Sequence, residues 1–193
     1  MLPPWRSPLA RALHRNRSLA YARYLQLATV TPDGRPTNRT IVFRGFLEST
    51  GQLKFITDDR SEKVTHLHTN PWGEACWYFP KTREQFRLLG QLILISADSA
   101  LSPPLQQARQ QQWQELSDAA RLQFAWPQPR QPRTSASQFN PPPPDPIVPV
   151  ANFCLLLLDP TQVDHLELRG DPQNRYLYRL ADAGAWEMQA VNP

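Results

Sequence analysis

The stretch from Pro127 to Pro149 limits this chain more than any other: nine of its residues are proline, with Pro141 to Pro144 in a row. Proline lacks a backbone donor and clashes with the preceding helical turn, so neither a helix nor a central strand runs through, and extended polyproline geometry is favoured. The segment is therefore a connection, either a wrapping arm or partly disordered chain. Whatever core the protein has must be built from the sequence on either side.

Both sides read mostly as strands. Residues 5–20 form a helix with Trp5, Leu9 and Leu13 on one side. Leu25 to Thr31 alternates as a strand, and Pro32-Asp33-Gly34-Arg35-Pro36 turns it into a second from about Thr37 to Phe46. Gly51 breaks the next hairpin ahead of Leu53 to Thr57. A helix starting at Ser61 ends at Asn70-Pro71, and strands follow at Glu74 to Phe79 and Glu84 to Ser96, with Gly90 marking a bend or bulge. Pro103 to Phe124 reads as one or two helices broken near Ser117-Asp118. Beyond the prolines, strands are expected at Ala151 to Leu158, Val163 to Leu168, Arg175 to Leu180 and Ala185 to Ala190. Seven or so strands at antiparallel spacing predict a mainly β protein with flanking α-helices, a small β-barrel. We expect one domain over 1–193: an N-terminal helix in 1–20, the loop at 127–149, and strands in 150–193 completing the barrel.

Composition excludes more than it assigns. The net charge is +4, but the basic residues are scattered, and only Arg6, Arg11, Arg15 and Arg17 cluster, without interleaved aromatics. A solvated helix face is favoured over nucleic-acid binding. No apolar stretch approaches the roughly 20 residues of a membrane span, and the first residues lack a signal peptide's apolar block, so a soluble, cytoplasmic protein is expected. Cys76 and Cys154 sit in apolar strand-like runs and read as reduced, buried thiols. His66 and His68 face different ways on a helix, His14 and His165 stand alone, and no hydrolase triad or glycine-rich phosphate loop is present.

One region carries chemistry. A strand with an arginine at each end, Arg39-Thr40-Ile41-Val42-Phe43-Arg44, is followed by Phe55-Ile56-Thr57 and then by Ser61-Glu62-Lys63 at a helix start. Helix N-termini offer unpaired N–H groups and a positive dipole end, so a phosphate held between Arg39, Ser61 and Lys63 meets backbone and charge together. Taken singly, each has a plainer reading: Arg44 a surface charge, Ser61 an N-cap worth about 1 kcal/mol, Gln85 an outward residue on an amphipathic strand, and Trp72, Trp77 and Tyr78 core or interface aromatics.

The order of Asn38 to Arg44, Phe55-Ile56-Thr57, Ser61-Glu62-Lys63, Asn70-Pro71, Arg83-Glu84-Gln85-Phe86-Arg87 and Asn174-Arg175-Tyr176-Leu177-Tyr178 resembles the pyridoxamine 5′-phosphate oxidase family, from about Leu25 to Pro193. The resemblance implies a split β-barrel of antiparallel Greek-key type. It also implies a homodimer with FMN at the subunit interface, and an oxidase that moves a hydride from a small-molecule substrate to FMN with oxygen as acceptor, in pyridoxine biosynthesis. Carried over residue by residue, it puts Arg39, Ser61 and Lys63 round the FMN phosphate, with Thr40, Ile41 and Val42 beside the isoalloxazine ring. Ile56 and Thr57 take the place of an aromatic-threonine pair, Gln85 that of an amide from the partner subunit, and Arg175 that of an arginine near the ring's pyrimidine edge. Arg44 replaces a substrate-side lysine.

Several positions depart from the pattern. Glu62 stands where the family has a second cation, and Leu166 where it has a tryptophan. The helical substrate positions fall on Trp113, Ser117 and Arg121, with Arg121 one turn beyond the expected arginine, and Gly170-Asp171-Pro172-Gln173 holds no histidine. The substrate-side candidates are therefore Arg44 and Arg121. Two alternatives stand beside the oxidase: a flavin reductase using a nicotinamide or deazaflavin, and a flavin-binding module without turnover. Trp126, next to the prolines, is a candidate lid.

Overall fold

The computed structural model describes residues 2–99 and 102–193. Helix α1 (Arg6–Asn16) precedes β1 (Tyr24–Val30), β2 (Pro36–Val42), β3 (Leu53–Asp58), α2 (Glu62–Thr69), β4 (Trp72–Phe79) and β5 (Glu84–Ile95). Helices α3 (Pro103–Gln114) and α4 (Asp118–Leu122) lead into the proline-rich arm, and β6 (Phe153–Glu167), β7 (Asn174–Leu180) and β8 (Trp186–Val191) close the chain. Among the described residues no helix is long and apolar enough to cross a membrane.

All strand pairs are antiparallel, in the order β2-β1-β4-β5-β6-β7-β8, with β3 also on β6. Strand β6 explains the architecture. One edge pairs with β5, from Glu84↔Glu167 to Ile95↔Leu155. The other edge is shared: β3 takes its first half, Leu53↔Leu158 to Asp58↔Phe153, and β7 its second, Gln162↔Arg179 to Glu167↔Asn174. The sheet splits there. One branch curls back through β3 to the chain following β2, by way of Arg44 N–H to Lys54 O at 2.9 Å, Lys54 N–H to Gly45 O at 2.7 Å and a bridge between Phe46 and Leu53. The other runs out through β7 and β8.

The fold is thus the expected mainly β protein with flanking helices, and its eight strands agree with the seven or so expected. The expected break between Leu158 and Val163 is not there: Asp159, Pro160 and Thr161 lie inside a single fifteen-residue strand. Pro160 is tolerated because it sits at a bulge opposite Gly90, where the register shifts and the ladder is interrupted. A Cβ on Gly90 would lie 2.0 Å from Asp159 O, so the strands approach this closely only with glycine there. The N-terminal helix stops at Asn16, not at residue 20; the buried Asn16 amide bonds Ala12 O at 2.8 Å and turns the chain away.

The main core lies inside the curled sheet, where Phe43, Trp77, Phe79 and Phe86 pack edge-on or tilted and Trp5 and Leu9 of α1 plug one end. A smaller cluster of Trp113, Leu116, Phe124 and Phe153 seats α3 and α4 against β6. The arm is tied at both ends. Arg60 donates to Phe124 O and Trp126 O, both at 3.2 Å, and the Trp113 indole donates to Asp145 O at 2.9 Å. Of the two readings open for this segment, the structure draws the wrapping arm.

Candidate functional site

A cavity of about 520 Å³ opens between β2, β3, the start of α2 and the helical segment before the arm. This lies within the roughly 300–1,000 Å³ of ligand sites. Its wall includes Arg39, Thr40, Ile41, Val42, Arg44, Ile56, Thr57, Ser61 and Lys63. The segments that sequence alone joins by order are thus one surface in space. Alternation along β3 buries Phe55 in the core and turns Ile56 toward the helical side.

Ser61 has the extended backbone of an N-cap, φ −80° and ψ 144°, yet its side chain makes no cap bond. Its hydroxyl instead receives a hydrogen bond from Lys63 Nζ at 3.0 Å and lies 3.1 Å from Thr57 Oγ1. Lys63 Nζ also donates to Thr57 Oγ1 at 2.9 Å, which leaves one of the three ammonium donors without a protein partner. Burial pushes Lys63 below its ordinary value, and the nearby Arg39 guanidinium pushes it further. Burial lowers Arg39 as well, with Glu62 partly offsetting it.

Arg39 is held by groups that the sequence pattern does not single out. Its Nη1 donates to Leu27 O at 3.0 Å and Thr29 Oγ1 at 2.7 Å, and its Nη2 to Thr37 Oγ1 at 2.8 Å. Thr29 Oγ1 lies 2.9 Å from Nδ1 of the buried His66. The register places Thr29 opposite Thr37 and Leu27 opposite Arg39, so the network follows from strand pairing. Among the described residues the remaining Nη2 hydrogen and the Nε–H have no protein partner. Asp58, the only carboxylate on the cavity wall among the described residues, is engaged elsewhere. Burial works to raise it, but bonds from the Arg60 side chain (2.6 and 2.9 Å) and backbone, and from Asn152, outweigh that and hold it below the usual carboxylate range. The site is two half-buried cations, a hydroxyl pair and an uncapped helix N-terminus, with Asp58 held by Arg60 and Asn152 and Glu62 paired with Arg130, and such a donor set fits a phosphate dianion.

The other predicted residues lie elsewhere. Gln85 is on β5 and Arg175 on β7, both opposite Leu166 in adjacent pairs, so the three form a row across the sheet away from the cavity. Arg175 makes a two-pronged pair with Asp164 at 3.0 and 2.6 Å. Arg121 is buried and donates to Trp113 O, Gln114 O and Leu116 O and to the Asp118 carboxylate. Its donors tie α4 to the end of α3, and Arg121 is not among the residues lining the cavity. Burial, then Arg23, lowers Arg44, and its Nε is buried without a partner. His165, expected to stand alone, is stacked on Phe86 with centroids 4.0 Å apart, and its Nε2 lies 2.9 Å from Glu84 Oε2. Cys76 and Cys154 are free thiols, Cys76 only partly buried, and burial pushes the Cys154 thiol up to about 12.

Comparison with known proteins bears on this arrangement. Residues 2–96 match the family described as "Pyridoxamine 5'-phosphate oxidase, FMN-binding domain". Over 193 aligned positions the chain is 38% identical to "Pyridoxine/pyridoxamine 5'-phosphate oxidase 2" of Arabidopsis thaliana, covering 98% of this chain and 97% of that protein. A crystal structure of a pyridoxamine 5′-phosphate oxidase-related, FMN binding protein from Nostoc punctiforme PCC 73102 superposes with TM-score 0.97 at 65% identity over the full length of both chains. PhzG from Burkholderia lata 383 shares the fold alone, with TM-score 0.76 and 20% identity over 97% of this chain and 91% of that one.

Proposed function

The chain belongs to the pyridoxamine 5′-phosphate oxidase family of FMN-binding proteins, and from that premise we propose that it is an FMN-dependent oxidoreductase acting on a small substrate related to pyridoxamine or pyridoxine 5′-phosphate. One observation carries the reading: Arg39 and Lys63 converge with the Ser61 hydroxyl on a helix N-terminus that Ser61 does not cap.

In this reading Arg39, Lys63, Ser61 and Thr57 hold the FMN phosphate, whose charge near neutral pH is about −1.5 to −2. The Thr40–Val42 backbone lies along the ring, and Ile56 packs on it from β3. Bound FMN would supply hydride acceptance from the substrate carbon and return of two electrons to oxygen as hydrogen peroxide. The protein's part is to orient the flavin, and to place Arg44, with its unpaired Nε–H, on the cavity wall. Gln85 and Arg175 do not line the cavity of their own chain. Their row on the outer face fits a homodimer in which each subunit completes the other's site.

Two features favour a second reading. Arg121 has its donors engaged within the helices, and no histidine stands in Gly170-Asp171-Pro172-Gln173. A donor other than the vitamin phosphate, including a nicotinamide or a deazaflavin, then becomes the test, as does a flavin module without turnover. The experiment is a binding titration of FMN followed by a substrate screen. Arg39→Ala and Lys63→Ala are each expected to weaken FMN binding by about 1–3 kcal/mol, and unchanged affinity in both would defeat the phosphate assignment. Peroxide release with pyridoxamine phosphate supports the specific oxidase. Anaerobic bleaching by a nicotinamide, with no peroxide from the vitamin phosphates, supports the reductase.

A further inference from the structure

Resting on the FMN reading above, the geometry points to the arm from Trp126 to Arg130 as part of the phosphate site. Arg130, paired with Glu62, restores the positive charge that Glu62 removes beside Ser61 and Lys63, and it holds Trp126 and Pro129 as the outer wall of the cavity.

The case begins with Glu62. A carboxylate at the first position of α2 suits an isolated helix, because it faces the positive end of the dipole. Between a serine and a lysine that together face an anion, the same charge works against binding. It is close enough to Arg39 to act on that guanidinium's protonation. Arg39 and Lys63 bring two positive charges to the cavity, Glu62 takes one away, and a dianionic phosphate is then under-matched.

Arg130 supplies the difference. Its Nη1 donates to Glu62 Oε2, from a position 68 residues further along the chain. The arm reaches this point by design of its own contacts. Trp126 O accepts from Arg60 Nη1, and Arg60 is fixed in turn by Asp58, so the start of the arm is bolted to the turn before α2. Trp126 and Pro129 then line the cavity opposite the clamp. Arg130 takes a left-handed backbone, φ 65°, which a β-carbon residue adopts at a cost of about 1 kcal/mol or more and keeps where its surroundings hold it. The indole Nε1 of Trp126 is buried and has no partner in the protein, so a wall residue carries a donor that a ligand could satisfy.

Both partners of the Glu62–Arg130 pair are exposed enough that the pair adds little to folding stability. Removing Arg130 therefore tests the site without unfolding the protein. Binding of FMN and of riboflavin, which has the ring but no phosphate, is measured on full-length wild type, Arg130→Ala, Glu62→Gln, the double variant and Arg39→Ala by quenching of flavin fluorescence at low salt. Arg130→Ala is expected to weaken FMN by about fivefold and riboflavin by less than about twofold, and Glu62→Gln in the Arg130→Ala background to bring FMN back to within about twofold of wild type. FMN is also expected to slow tryptic cleavage of the wild-type arm after Arg130 severalfold, since the bond lies beside the filled cavity. Arg130→Ala with wild-type FMN affinity, while Arg39→Ala loses FMN, would overturn the arm's role and leave the FMN reading intact. Wild-type affinity in Arg39→Ala as well would overturn the FMN-phosphate reading and this inference with it.

Discussion

Lys63 is the residue whose chemistry sets the working range of the site. Burial and Arg39 depress it below its ordinary value of 10.5, so the protonated form that holds a phosphate is lost earlier on the alkaline side than for a free lysine. On the acid side the phosphate itself loses its second charge below about pH 6. FMN affinity is therefore expected to peak between these limits and to fall as pH rises through the Lys63 transition, and titrations of wild type against Lys63→Arg, whose cation does not titrate there, check the sign. His66 acts one step back, through Thr29, on Arg39. We expect His66→Gln to weaken FMN by about 1 kcal/mol, less than Arg39→Ala, in the same binding assay. A separate titration belongs to Glu84. Burial would raise its carboxyl, but His165 and Thr82 outweigh it and hold it below 4.5. That contribution to stability is present above the ordinary value and lost as pH falls through the depressed one, so His165→Phe should flatten the acid limb of a pH-dependent unfolding curve.

At the scale of elements, the pairing of β5 with β6 depends on Gly90. Its missing Cβ admits the Asp159 carbonyl, a backbone group that cannot swing aside, so Gly90→Ala is expected to cost about 1–3 kcal/mol in chemical denaturation. This element also shows what a sequence carries. Gly90 in the middle of a strand-like run announced the bulge, and Asn70-Pro71 and Ser117-Asp118 announced the helix boundaries, because each residue has a local conformational preference that tertiary packing did not oppose. Asp159-Pro160-Thr161 misled: a proline ordinarily interrupts a strand, and only the facing bulge lets the chain continue here. The phosphate clamp was readable as a cluster since its parts lie within 25 residues, from Arg39 to Lys63. Thr29, Thr37, His66 and Arg130 were not, because they join it through strand register and an arm, neither of which leaves a mark in local pattern.

For the molecule as a whole, the outer face carrying Tyr78, Gln85 and Arg175 predicts self-association. Tyr78 is 47% exposed there, and Cys76 beside it on β4 is half-buried. Sedimentation should give a dimer, and Tyr78→Asp should shift it toward monomer with weaker flavin retention; a wild-type monomer that binds FMN tightly would sink the shared-site reading. The split sheet has a last consequence, best put in the language of reading frames. Ahead of the bulge Leu156 and Leu158 point into the core, even numbers; beyond it Val163 and His165 do, odd numbers. Thr161 is the inserted letter that shifts the frame. Were the strand to read straight through Thr161 with no bulge, β6 would come out inverted, presenting Asp164 and Leu166 to the core and Val163 and His165 to water; deleting Thr161 would instead remove the bulge and keep Val163 and His165 inside.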